Sequence, residues 1–402
     1  MGQYDGAVGG HVAPGFEPVR EAFARHIAAG MLGGACTIYH GGECVVDLHG
    51  GWKDAARTRP WTDDTITLVF SVSKGLSGAA CALAASRGYF DYDQPIGEVW
   101  PEFACHGKEV LSVGQVLSEQ AGVAALDRKL SCETMADHAL MAQAVAEQKP
   151  NWAPGDYSGN HPYSLGWLAC ELIHGRDPQG RHLDRFLAEE IAGPLDADVW
   201  FGLPRDFDTD RIARIKGFGL PDMVLHRKNM SWPLIAGMFA PWTLTFRALN
   251  NPLFLQGPAA LDTPEFWHIE QGAAGGMASA RGLGKVYNAF ATGGAALGIS
   301  PTVLAALAEG IAPPRKGLQD QVLHCPVRYS HGFEKPFDGW EFARNRAAFG
   351  TFAVGGSLAF ADPEDQVAYA WVTNDMGTHK WDDPREKDCR DAFYQCLEET
   401  GA

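Results

Sequence analysis

The chain has 402 residues, of which 46% are hydrophobic and 20% charged, which excludes a disordered chain and gives length for a large core in one or two domains. Lys and Arg number 33 against 49 Asp and Glu, a formal charge of −16, which argues against nucleic acid or an anionic membrane as the main partner. No run is long and apolar enough to span a bilayer, the N-terminus lacks the basic-then-apolar layout of a secretory signal, and the nine scattered cysteines include no C-x-x-C. The expectation is a cytoplasmic protein with free thiols, no disulfide framework and no zinc cage.

Phe16, Val19, Phe23 and Ile27 recur at helical spacing, and Gly30 ends the pattern. Two apolar stretches then flank His40-Gly41-Gly42, which predicts a β-hairpin. A helix from Ser71 to Arg87, rich in Ala, Ser and Gly, has little polar face and should be buried. Further helices are predicted over 163–173, 183–195 and 280–294. Residues 207–267, rich in Pro, Met, Trp and Phe with weak periodicity, read as long loops walling a pocket. "GGSLAFADPEDQVAYAWVTN" reads as strand, turn at Asp362-Pro363-Glu364-Asp365, and strand. Asp383 as N-cap and Pro384 at the first position open a last helix, with Phe393, Cys396 and Leu397 on one face. The fold class is therefore α+β. An antiparallel sheet lobe is built from both chain ends, 1–66 and 270–402, and a mostly helical lobe is inserted at 67–269.

The chemistry concentrates in "VFSVSKGLSG". Ser71 and Lys74 are one helical turn apart and so are neighbours. A serine hydroxyl is a weak nucleophile unless a base takes its proton, and a lysine becomes a base when burial and a helix N-terminus disfavour its charge. The Ser71 amide, at the helix start, can face a developing oxyanion. S-x-x-K alone is common on surface helix turns. Here the lysine lies in an apolar, small-residue helix, where an unpaired ammonium is costly. No G-x-S-x-G, H-E-x-x-H, Walker A or G-x-G-x-x-G motif competes. The histidines do not cluster at metal-ligand spacing, and His49, His161 and His331 read as ordinary polar or half-buried residues.

"VFSVSKGLSG" resembles the active-site helix of the serine β-lactamase-related superfamily, in particular the class C-like, family VIII carboxylesterases. The likeness runs over nearly the whole chain, through "HVAPGFEPVREAFARH", "TRPWTDDT", "VLSEQAGVAALD", "EEIAGPL" and "GGSLAFADPE". It implies a two-lobed β-lactamase/penicillin-binding-protein-like fold with the site in the cleft, and an acyl-enzyme mechanism without metal or cofactor. The family's proton-shuttling tyrosine position, counted from Pro154-Gly155, holds Asn160, which cannot shuttle protons near neutral pH. Tyr157 offers a phenol if that loop is reshaped, and Tyr163 is expected to pack at the helix start. The family's K-T-G or H-x-G strand position holds Thr351, Phe352 and Ala353, expected at the substrate. The Val354 amide is the implied second oxyanion donor beside that of Ser71. Glu119 stands where the loop usually carries His and reads as a solvated carboxylate. The expected function is a serine hydrolase, carboxylesterase-like, acting on a small ester or amide through Ser71 with Lys74 as base. Acyl transfer, with an acceptor pocket in residues 230–254, and a non-catalytic scaffold are the alternatives. β-Lactam hydrolysis ranks last among the enzymatic options.

Overall fold

A computed structural model describes residues 7–219, 222, 225–252 and 257–400. The N-terminal part supplies β1 (Gly9–Val12), α1 (Glu17–Ala28), β2 (Gly33–His40) and β3 (Glu43–Gly51). The middle supplies β4 (Ile66–Leu68), α2 (Val72–Ser86), α3 (His138–Glu147), α4 (Ser164–His174), α5 (Leu183–Leu187), β5 (Val199–Phe201), β6 (Ile212–Ala213), α6 (Trp232–Phe239) and α7 (Leu244–Leu249). Then follow β7 (Gly276–Ala278), α8 (Ala280–Ala291), β8 (Tyr329–Ser330), β9 (Phe333–Glu334), β10 (Phe349–Phe352), β11 (Leu358–Asp362), β12 (Val367–Thr373) and α9 (Pro384–Thr400).

Both chain ends build one antiparallel sheet in the order β1-β3-β2-β12-β11-β10-β9-β8. The register explains its two faces, since successive strand residues alternate sides. Leu48, Cys36, Trp371 and Leu358 lie opposite one another across four strands. They face the core formed with Phe16, Phe23, Phe393 and Leu397 of the terminal segments. Thr37, Ala370, Ala359 and Thr351 form the neighbouring row. These small residues admit α8, where a Cβ on Gly284 would lie 3.0 Å from Thr37. Asp383 accepts the Arg385 N–H at 3.1 Å and caps α9.

A second sheet, β5-β7-β4-β6, was not legible, because strands of two or three residues carry no period. It anchors the entry to α2, whose residues Val72 to Ala85 are all buried. Described residues of 207–267, among them Phe218, Met230 and Leu249, line the cleft, and not only from loops. Ser231 caps α6 and Thr243 caps α7. "WPLIAGMF" is apolar all round, so its sequence shows no helical contrast. Residues 253–256, within the 230–254 stretch, lie outside the described residues. Among the described residues no helix is long and apolar enough to cross a membrane, and all nine cysteines are free.

Candidate active site

The turn before Ser71 is strained by design of its neighbours. Phe70 has φ 45°, a left-handed conformation that costs a non-glycine residue about 1–3 kcal/mol. Ser73 holds it: its hydroxyl donates to the Phe70 carbonyl and accepts the Gly276 N–H at 2.8 Å. The Val69 N–H donates to the Gly276 carbonyl at 2.9 Å on the other side of the turn. Ser71 then sits at the N-cap with a helical backbone and makes no capping bond with its hydroxyl. Among the described residues, neither its side chain nor its N–H donates a hydrogen bond. The small residues that follow are spacing devices. A Cβ on Gly75 would lie 2.0 Å from the Tyr287 hydroxyl, and one on Gly78 would lie 2.8 Å from the Phe333 ring.

Lys74 is buried and does not hydrogen-bond Ser71. Its Nζ donates to Glu119 Oε1 at 2.7 Å and to Asn160 Oδ1 at 2.5 Å. Glu119 is thus no solvated carboxylate: its side chain is 2% exposed. Its backbone is left-handed, φ 59°, and its Oε2 accepts the His161 N–H at 2.7 Å. Burial pushes its carboxyl above the ordinary range while the Lys74 charge pulls it back. A buried ion pair holds only with its remaining lone pairs satisfied, which His161 and Asn160 achieve. The Asn160 N–H in turn donates to Asp320 Oδ2 at 2.8 Å, and the Tyr329 hydroxyl donates to that same oxygen at 2.8 Å. His161 is fully buried, against the half-buried expectation. Its Nε2 accepts the Val123 N–H at 3.1 Å, so its proton sits on Nδ1 and is given to the Gly159 carbonyl. Burial pushes it down to about 3, and it stays neutral.

Sequence reasoning missed a second carboxyl. Glu334 lines the cavity from β9, and its Oε2 accepts the Phe352 N–H at 3.2 Å. Burial pushes it up to about 8, with the Lys74 charge opposing. Its proton is therefore retained at neutral pH. A strand of two residues gave no pattern from which to find it.

Ser71, Lys74, Asn160, Glu334, Phe352 and Val354 share one cavity of about 390 Å³. Its walls are mostly apolar and include Met230, Leu234, Met238, Phe239, Leu249 and Trp381. Thr351 and Ala353 are buried on the far side of their strand and do not reach the cavity. The Thr351 hydroxyl lies 3.5 Å from that of Tyr287 instead. Phe352 of β10 and Val354 just beyond it line the cavity, and among the described residues the Val354 N–H donates to no acceptor. Tyr157 is not brought to the site either: its ring lies 5.1 Å beneath the Lys316 ammonium, outside the cavity lining. The loop is not reshaped toward Lys74, because Asn160 already fills that place. Tyr163 precedes α4, as expected, and also lines the cavity.

Residues 19–388 match the family model "Beta-lactamase". The chain is 32% identical over 373 residues to "Esterase/beta-lactamase LipL" of Mycobacterium tuberculosis (strain ATCC 25618 / H37Rv), spanning 91% of this chain and 82% of the relative. Among solved structures, a family VIII carboxylesterase superposes with a TM-score of 0.84 at 29% identity, covering 97% of this chain and 100% of that one. EstA from Arthrobacter nitroguajacolicus Rue61a gives 0.83 at 26% identity, covering 97% and 99%. A penicillin-binding protein homologue from Caulobacter crescentus gives 0.82 at 31% identity, covering 97% and 100%. A match over that extent, on a fold whose cleft holds Ser71 and Lys74, means that the chain belongs to the Beta-lactamase family, as a serine hydrolase related to the family VIII carboxylesterases.

Proposed function

We propose that the protein hydrolyses small carboxylic esters with an apolar acyl or alcohol part, through an acyl-enzyme on Ser71. The observation that carries this reading is the uncapped Ser71 hydroxyl beside a buried lysine at an apolar cavity. In the reacting form the proton of the Lys74–Glu119 pair resides on Glu119, which burial favours. Ser71 Oγ bonds to the ester carbonyl carbon and its proton passes to Lys74. The amides of Ser71 and Val354 face the developing oxyanion. Collapse breaks the bond to the alcohol, whose oxygen takes a proton from Glu334, and Lys74 then returns a proton to Glu334. Water repeats the sequence and releases the acid. Glu334 thus supplies the general acid that Asn160 cannot. Thr351 stands where a cation or imidazole is expected and is turned away from the cavity, and Phe352 lines the cavity beside it, which favours esters over anionic β-lactams.

The test is a pre-steady-state burst with a chromogenic short-chain ester, with intact mass recorded for the wild type and Ser71→Ala. A burst with one acyl adduct that vanishes in Ser71→Ala is the expected result. No adduct with this ester or with a wider acylating panel would overturn the proposal. The apolar lining favours acyl transfer as the second reading, because it disfavours water as acceptor. Turnover that accelerates with added small alcohols, at constant burst, would identify it.

A further inference from the structure

The structure assigns a second site away from Ser71: we propose that His138, Cys170, His182 and Glu270 bind one zinc-class divalent cation. These four residues come from α3, α4, the N-cap of α5 and the turn before β7, and no local spacing in the sequence announces them. Packing brings one ligand atom from each to within 4.8 Å of all the others. Two of the edges already have the length of a tetrahedral zinc site, about 3.2–3.8 Å from bonds of about 2.0–2.3 Å. Cys170 Sγ lies 3.6 Å from His182 Nδ1, and His138 Nε2 lies 3.7 Å from Glu270 Oε2. Closing the longest separations takes about one ångström of side-chain movement.

An independent observation points into the same space. Glu270 Oε2 is buried without any hydrogen-bond partner, on a side chain only 5% exposed. A carboxyl oxygen so placed is costly unless a proton or a cation meets it. His138 stacks on His182 with ring centroids 3.9 Å apart, and His174 backs His182 at 4.2 Å. His174 is not one of the four, and its Nδ1 is engaged with the Gly180 carbonyl at 3.0 Å. One thiolate, two imidazoles and one carboxylate form a borderline-soft set that suits zinc rather than calcium or magnesium. Four protein ligands leave no open position, so the ion is structural. His138, 32% exposed, gives the entry path. On binding, the Cys170 thiol releases its proton to solvent as the sulfur–metal bond forms.

The site would clamp the turn that supports the active-site helix. Next to Glu270, Gln271 donates to the Tyr163 carbonyl at 2.9 Å, and the Gly272 carbonyl accepts from Ser77 of α2 at 2.6 Å.

The test uses the purified full chain, stripped with chelator, reloaded with zinc or cobalt chloride and desalted. The expected result is one metal per chain, a tetrahedral cobalt spectrum with a thiolate charge-transfer band, and a melting temperature a few degrees higher with zinc. Cys170→Ser should lose the thiolate band. His138→Gln, changed at the exposed edge where folding is least at risk, should bind zinc at least about 100-fold more weakly. Far-ultraviolet circular dichroism checks that both variants fold. Failure of the folded wild type to retain metal would overturn the proposal. Equal retention by His138→Gln and Cys170→Ser, the mark of adventitious surface binding, would do the same.

Discussion

At the scale of single residues, the site divides between groups that meet substrate and groups that hold Lys74. Glu119 belongs to the second set. Removing its charge leaves a buried ammonium facing only the Asn160 carbonyl oxygen, so Lys74 loses the group that exchanges protons with it in the proposed mechanism. Glu119→Gln should therefore slow acylation by about 10²–10⁴, read from single-turnover kinetics. Tyr157→Phe should change it by less than about twofold, because that ring sits under Lys316. Reversal of the two results would restore the phenol as the relay and return Glu119 to a bystander. Glu334 makes a separate claim on the pH profile. An acid that must be protonated fails as pH rises through its own value, pushed up to about 8. The kcat/KM of the wild type should fall above that pH, and Glu334→Gln should be slower at every pH and lack that limb. An unchanged alkaline limb in the variant would assign it to another group.

At the scale of elements, α2 works because its neighbours can touch its backbone. Tyr287 of α8 and Thr351 of β10 both close on Gly75, at 2.0 and 2.6 Å from where a Cβ would lie. Neither can withdraw easily, since both are buried. Gly75→Ala should cost about 1–3 kcal/mol or more in urea unfolding and lower the acylation rate, because the displaced helix carries Ser71 and Lys74. A stable and fully active variant would show that α2 can shift without moving the site. This helix also marks how far the sequence could be read. The pairing of Ser71 and Lys74 at its start and its burial followed from residue types at local spacing. So did the two hairpins and the terminal helices, whose periods of two and 3.6 survive in the sequence. Glu119, Glu334 and the stacked histidines did not follow. Glu119 meets Lys74 from 45 residues away on a left-handed backbone, Glu334 lies on a two-residue strand without any period, and the stacked histidines meet only when separate helices pack. The Phe352 and Val354 face of β10 needed the register, which alternation alone leaves ambiguous by one residue.

At the scale of the whole molecule, burying the proton-handling groups ties stability to pH in two opposite ways. Glu334 is raised from an ordinary 4.5 to about 8, so between those values the folded chain keeps a proton that the unfolded chain has lost. Its contribution is complete below pH 4.5 and disappears as pH rises through 8. His161 is lowered from 6.5 to about 3, so the unfolded chain takes up a proton that the folded chain refuses. Its contribution is complete above pH 6.5 and disappears as pH falls through 3. His331, lowered to about 4 by burial, adds to that acid limb. Between pH 6.5 and 8 the histidine contributions are flat, and Glu334 alone of these three sets the slope. Glu270, also raised to about 8, and Lys335, lowered to about 7, add opposite slopes in this window that both proteins share, so the urea midpoint should fall more steeply from pH 6.5 to 8 in the wild type than in Glu334→Gln, with the loss below pH 4.5 unchanged. The glutamine keeps a carbonyl oxygen for the Phe352 N–H, so the substitution removes the titration without orphaning the strand. Equal slopes in the two proteins would mean that Glu334 is ionised in the folded state at neutral pH, and the general-acid assignment would fall with it.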